Sequence, residues 1–181
     1  MIFGIKRFPL KVNPDRRGSL TEIFRECWVP ELKPKQVNIM PSHAGVIRGS
    51  HVHRFHSDYF VLVAGRAFLG LRDVRTYSPT AGFVSLIEML GHAPEGIVVP
   101  EGVIHGVHFV EESVLATVES EYYDPAEEIR VRWNDPALGI PWAADKVYLS
   151  DADGDAPSYA ELVKTIEPWQ NEWQGKMENI K

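Results

Sequence analysis

The sequence predicts an all-β protein built from antiparallel strands, and three features carry that prediction. Thirteen prolines and fourteen glycines are spread through the chain, where they punctuate short apolar runs rich in Val, Ile, Leu and Phe. Two of those runs, Tyr59 to Val63 and Ala67 to Val74, flank a Gly65-Arg66 turn. Their near-continuous apolar character is that of central strands in a sandwich or barrel, covered on both faces. Helix signals, finally, are confined to the end of the chain. Taken in order, the first run and its partner read as a hairpin. Gly96 to Pro100 and Gly106 to Val110 read as a second pair, joined by Glu101-Gly102-Val103-Ile104-His105. Ser158 and Glu161 form a capping box ahead of Leu162, Val163 and Ile166, which predicts one short C-terminal helix. Trp169 and Trp173 follow in a polar tail, placed to pack back on the core or to sit at a subunit contact.

Composition narrows the function classes. The 181 residues, 44% of them apolar, are enough for one core, so residues 1–181 are read as a single domain. A formal charge of −6 with no basic cluster argues against a nucleic-acid partner, whose phosphates demand gathered Lys and Arg. Cys27 is the single cysteine and can form neither an internal disulfide nor a thiolate cluster. With no signal-peptide pattern at the start, the expected compartment is the cytoplasm. The longest apolar run, Tyr59 to Leu71, is broken by Gly65 and Arg66 and falls short of the roughly 18 residues of a membrane span, so no membrane partner is expected.

The densest chemical signal is Gly45-Val46-Ile47-Arg48-Gly49-Ser50-His51-Val52-His53, followed by Asp58 and Gly65. In an extended segment His51 and His53 project from the same face and share one site. Pro100-Glu101-Gly102-Val103-Ile104-His105 adds a turn that ends in a third histidine. On residue chemistry alone two readings stay open. Three imidazoles and a carboxylate form a ligand set for Zn, Fe, Mn or Ni. Alternatively, one imidazole acts as a general base, since its ordinary pKa near 6.5 suits proton abstraction at neutral pH.

The two segments resemble the paired signatures of the cupin superfamily, G-x5-H-x-H-x4-[ED]-x6-G and P-x-G-x2-H. The second signature lacks only its leading glycine, where Pro94 stands. That resemblance implies a double-stranded β-helix, or cupin jelly roll, with the site inside it. Over about four-fifths of its length the chain also resembles the dTDP-4-dehydrorhamnose 3,5-epimerase family. The matching stretches are DRRGSLTEIF, Gln36-Val37-Asn38, Gly45 to Gly49, Tyr77-Ser78-Pro79-Thr80, PEGVIHG, Glu121 to Pro125, RWNDPALGIPW and Leu149 to Asp153.

This second resemblance implies an isomerase that removes a proton beside the C4 ketone of a nucleotide-linked 4-keto-6-deoxyhexose, with dTDP the expected nucleotide, and returns it from the other face, without metal or cofactor. It places the general base at His51 and an orienting carboxylate at Asp153. Nucleotide and sugar contacts fall on Arg17, Glu22, Gln36, Asn38, Arg48, His105 and Glu128. It further implies a homodimer in which the N-terminal strand is exchanged into the partner's sheet.

Three positions depart from the family pattern. Asp58 stands where the family carries a lysine, Thr117 where it carries the proton-returning tyrosine, and Ala152 where it has a further lysine. An anion at 58 opposes a developing enolate, and a hydroxyl at 117 is a far weaker acid than a phenol. The Arg48-Gly49-Ser50-His51-Val52-His53 segment is also similar to that of the sugar 3,4-ketoisomerases, in which two histidines shuttle protons, so His53 joins His51 as a candidate catalytic residue. A metal-dependent cupin enzyme, favoured by Asp58, and a non-catalytic sugar-binding relative, favoured by Thr117, are the remaining alternatives. Phe55, Tyr59 and Phe83 are candidates for base stacking, with core packing the competing role.

Overall fold

The computed structural model describes residues 1–144 and 146–178, with the side chains of 177 and 178 excluded. Twelve strands and three α-helices are found there: β1 Lys6–Pro9, β2 Val12–Asp15, β3 Gly18–Thr21, β4 Gln36–Ser42, β5 Ile47–His53, β6 Asp58–Ala64, β7 Arg66–Asp73, β8 Val84–Leu90, β9 Glu95–Val99, β10 Val103–Phe109, β11 Ser113–Glu119, β12 Glu128–Arg130, α1 Asp151–Gly154, α2 Tyr159–Ile166 and α3 Gln170–Glu178. One five-stranded sheet has the order β1-β9-β6-β11-β4 and the other β12-β5-β10-β7-β8, while β2 and β3 form a separate hairpin. Every strand pairing is antiparallel. This is the all-β jelly roll that the sequence predicts.

Both expected hairpins are corrected by this topology. β6 belongs to the first sheet and β7 to the second, so the Gly65 turn carries the chain from one sheet to the other instead of closing a ladder. β9 and β10 are separated in the same way by the Glu101-Gly102 turn. Apolar periodicity marks both arms of such a turn as strands, but the choice of partner is made by the layer that buries them.

The alternation of side chains explains where everything goes. From β6, Phe60 and Leu62 face Leu69, Leu71, Val103 and Val107 across the interior. The intervening Tyr59 and Val61 pack outward against Leu10, Val29 and Leu32. Tyr59 is therefore a core residue, its hydroxyl donating to the Ile23 carbonyl at 2.7 Å, whereas Phe55 and Phe83 are exposed. Neither Phe55 nor Phe83 lines the cavity described below. On the second sheet Val52 and Ile104 face outward, where Leu162, Ile166, Trp169 and Trp173 cover them. Val52 of β5 and Ile104 of β10 thus anchor the C-terminal helices, and His51, His53 and His105, one residue away, are left to the barrel's inside.

The capping box forms as read: Ser158 caps α2, its side chain accepting from the Glu161 N–H while Glu161 reaches back to the Ser158 N–H. Of the two places expected for Trp169 and Trp173 in the polar tail, the structure has them packed back on the core. The tail forms α3, which buries Trp173 and ties Glu172 to Arg54 at 2.6 Å. The N-terminal strand, expected in a partner's sheet, closes the edge of its own: β1 pairs with β9 from Lys6 opposite Val98 to Pro9 opposite Glu95. The β2–β3 hairpin that follows is exposed along nearly its whole length. Among the described residues no helix is long and apolar enough to cross a membrane.

Candidate active site

Strand register brings three distant segments to one spot. In the β5–β10 ladder His105 lies opposite His51, and in the β12–β5 ladder Glu128 lies opposite His53 and Arg130 opposite His51. Asp58, at the start of β6, enters from the facing sheet, paired with Glu119 of β11 and Val99 of β9. Close approach is secured at Gly49, whose φ is +94° and whose Cβ, if it had one, would sit 2.9 Å from the His105 carbonyl oxygen. A side chain here would push β5 off β10 and separate the histidines.

The result is a cavity of about 510 Å³ at the mouth of the barrel. Its polar lining includes His51, His53, Asp58, His105, Arg48 and Arg130. The three imidazoles cluster with tilted or edge-on rings, the centroids 5.2 Å apart for His51 and His53, 4.9 Å for His51 and His105, and 5.1 Å for His53 and His105. Oδ2 of Asp58 lies 3.3 Å from His53 Nε2 and 3.2 Å from His105 Nε2. A fourth imidazole, His56, stacks on His53 at 3.6 Å and approaches the other Asp58 oxygen at 3.7 Å.

Electrostatics separate these groups by role. Burial, reinforced by the neighbouring His105 and His53, holds His51 well below the ordinary imidazole value, so it is a neutral proton acceptor. For His53, burial opposes the charged form, but the Asp58 carboxylate overrides it and raises the pKa. Burial and the nearby His53 charge bring His56 down to about 4. Burial works against ionisation of Asp58 as well, yet the imidazoles around it keep its pKa well below the carboxylate norm. Glu119, bound to Asn38 at 2.7 Å and to the Thr117 hydroxyl at 3.1 Å, is raised by burial and then by Asp58.

Among the other sequence-predicted residues, Asn38, Arg48 and Glu128 line the cavity, and Arg48 donates to the Ser42 hydroxyl at 2.9 Å. Gln36 stands one turn of the pleat away, bonded to Asn38 and Glu119. Arg17 and Glu22 do not line it. Arg17 is on the exposed hairpin, paired with Asp15, and Glu22 pairs with Arg25. Asp153 does line the cavity but makes no hydrogen bond to His51. It takes the Ser150 hydroxyl at 2.8 Å and faces Arg130 Nε at 3.4 Å. The carboxylate beside His51 is Glu128, 3.7 Å from its Nε2, while His51 Nδ1 is buried with no partner. The expected His51–Asp153 dyad is thus replaced by a Glu128–Arg130–Asp153 chain that reaches the imidazole from β12. Ser150 draws Asp153 away by serving as N-cap of α1.

Arg130, Glu119 and Tyr123 are cavity residues that the sequence reading missed. Arg130 had a signal: in Glu128-Ile129-Arg130 the two charges flank an apolar residue and must share a face.

The model of the family described as dTDP-4-dehydrorhamnose 3,5-epimerase matches residues 1–161. The chain belongs to this family. Among its relatives is a Streptomyces dTDP-4-dehydro-6-deoxyglucose 3-epimerase, 32% identical over 180 residues and covering 91% of this chain and 92% of that one. The Salmonella typhimurium dTDP-4-dehydrorhamnose 3,5-epimerase is 31% identical, covering 81% and 86%. Among solved structures, ChmJ, a 3'-monoepimerase from Streptomyces bikiniensis in complex with dTDP-quinovose, superposes with a TM-score of 0.83 at 28% identity, covering 98% of this chain and 96% of that one. NovW, a 4-keto-6-deoxy sugar epimerase of Streptomyces spheroides, gives 0.82 at 28%, covering 91% and 87%. Within the family framework Asp58 and Thr117 are buried, Asp58 among histidines and Thr117 against Glu119.

Proposed function

We propose that the protein epimerises a dTDP-linked 4-keto-6-deoxyhexose by moving a proton at a carbon beside the C4 ketone. The observation that carries this reading is a neutral imidazole, His51, on the wall of a sugar-sized cavity in a chain matched to the epimerase family over residues 1–161. His51 takes the proton, and Glu128 at 3.7 Å stabilises the imidazolium that forms. Arg48 and Arg130 on the same wall offer fork-shaped donors to the diphosphate. Asp153 acts through Arg130, whose Nε it faces at 3.4 Å.

The test is incubation with a dTDP-4-keto-6-deoxyhexose in D2O followed by NMR. The expected result is deuterium at carbon 3, with or without carbon 5. A second reading, 3,4-ketoisomerisation, is favoured by the His53 ring 5.2 Å from His51, and exchange accompanied by a displaced ketone identifies it. Binding of the sugar with no exchange on any 4-keto substrate overturns both and leaves a sugar-binding protein.

The same reading includes a homodimer. Arg17 sits on an exposed hairpin outside its own cavity, so its substrate contact requires a second copy. Val37 and Ile39 on the edge strand β4 are 64% and 70% exposed, a face that a second chain would cover. Sedimentation velocity is expected to give about twice the 20.5 kDa chain mass; a single species at the chain mass rules the dimer out.

A further inference from the structure

We propose that Glu119 is the general acid that returns the proton to the sugar from the face opposite His51, with Thr117 and Asn38 aiming its carboxyl group.

Inverting a carbon takes two groups, one on each side of the ring, because a base that removes and restores the proton on one face regenerates the starting sugar. The inference rests on the epimerase reading, which supplies His51 on β5 as the first group. The second must come from the facing sheet. Among the described residues, the strands of that sheet contribute four polar side chains to the cavity wall: Asn38, Asp58, Thr117 and Glu119. An amide holds no proton to give, and the Thr117 hydroxyl is a far weaker acid than even a phenol. Asp58 is committed to imidazoles, 3.3 Å from His53 Nε2 and 3.2 Å from His105 Nε2.

The two tyrosines of the cavity stand on the wrong side. Tyr123 hydrogen-bonds to Arg130, which lies opposite His51 within one sheet. Tyr148 packs over Gly45 at the entry to β5, where a Cβ on the glycine would meet its ring at 3.3 Å. Glu119 is left.

Its carboxyl group is held by three donors. Asn38 Nδ2 donates to Oε1 at 2.7 Å, the Thr117 hydroxyl to the same oxygen at 3.1 Å, and Gln36 Nε2 to Oε2 at 3.0 Å. The Gln36 amide is itself oriented, since its Oε1 accepts the Tyr123 N–H at 3.0 Å. Electrostatics then divide two carboxylates that sit opposite each other in the β11–β6 ladder. Asp58 is held well below the ordinary range by its histidines, whereas burial, and next the Asp58 charge, raise Glu119. The bonds from Thr117 and Asn38 and the charge of His53 pull Glu119 the other way without cancelling the rise. Acidic groups pushed apart in this manner, beside an imidazole kept neutral, are how one pocket assigns its acid and its base.

The step balances without another reactant. The C–H bond beside the ketone breaks, its proton passes to the His51 ring, and its electron pair moves into the enolate. The enolate carbon then takes the proton of the Glu119 carboxyl group from the other side, which forms the new C–H bond. Glu119 is left as carboxylate and His51 as imidazolium, and proton exchange with solvent through the cavity mouth resets both.

The experiment uses full-length Glu119→Gln with a dTDP-4-keto-6-deoxyhexose in D2O, and NMR reads two signals, deuterium at carbon 3 and the configuration of that carbon. Native protein should give both. In Glu119→Gln the inverted product is expected to form about 10²- to 10⁴-fold more slowly, the usual contribution of a positioned acid, while deuterium still enters the recovered substrate within about tenfold of the native rate. Thr117→Val, which removes the orienting hydroxyl, should slow inversion relative to exchange in the same direction and by less. Inversion by Glu119→Gln within about tenfold of native overturns the assignment, as does equal loss of both signals in a folded variant. Should Glu119→Gln not fold, Glu119→Asp withdraws the carboxyl by one methylene: a fall in the ratio of inversion to exchange supports the proposal, and an unchanged ratio rejects it. Native protein that shows no inversion overturns the epimerase reading and this role with it, whereas native inversion that survives in Glu119→Gln sinks the role of Glu119 alone.

Discussion

His51→Ala is expected to lower the rate of deuterium incorporation at carbon 3 by about 10²- to 10⁴-fold, the usual contribution of a positioned general base. The effect should appear in kcat with little change in substrate affinity. His51 touches the reacting C–H in this reading, whereas the diphosphate is held by Arg48 and Arg130 on the same wall. The ring also leaves no large hole in the core, since its side chain is 21% exposed at the cavity wall. Circular dichroism and the thermal midpoint should therefore remain close to those of the native protein. Exchange retained within about tenfold would assign proton removal to another group, and His53→Ala would then be the next variant to measure.

Trp173→Ala is expected to destabilise the protein by about 3–5 kcal/mol, the range for deleting a large buried aromatic side chain. Trp173 is 1% exposed, packs edge to face with Trp169 at 5.7 Å, and donates its indole N–H to the Arg54 carbonyl at 3.0 Å. Alanine removes the area, the aromatic pair and the donor together. The loss reaches the site as well. Gly102 adopts φ +73°, and a Cβ there would meet Arg75 at 2.5 Å and Trp173 at 3.0 Å. The indole therefore packs beneath the turn that launches β10 and places His105. Urea unfolding followed by circular dichroism measures the effect. A change below about 1 kcal/mol would show that α3 covers the sheet without contributing to its stability.

Much of the site was legible because it obeys a local rule. His51 and His53 share a face through the two-residue strand period, and the turn at Gly102 feeds His105 into the neighbouring ladder. The capping box at Ser158 and Glu161 was legible for a similar reason, since its partners lie within one helical turn. The failures are equally specific. Gly65 ends one strand and begins another, but nothing within five residues of it encodes which sheet each strand joins. The resemblance implies an orienting carboxylate at Asp153, yet its contacts in the fold are Ser150 and Arg130 and not His51. The helix over Gln170–Glu178 was not legible in the polar tail, where only Trp173 among the described residues of that helix carries a core contact.

Residue order alone determined the strand-rich character, the shared face of two histidines and the resemblance to the epimerases. Each of these depends on neighbours a few positions apart or on motifs read along the chain. Only the folded barrel decided that Asp58 meets two imidazoles at 3.2 and 3.3 Å and that Glu128, not Asp153, stands beside His51. Those contacts join residues from facing sheets and from neighbouring strands far apart in the chain. Their distances are set by sheet separation and register, quantities that burial of the whole core fixes and no short segment contains.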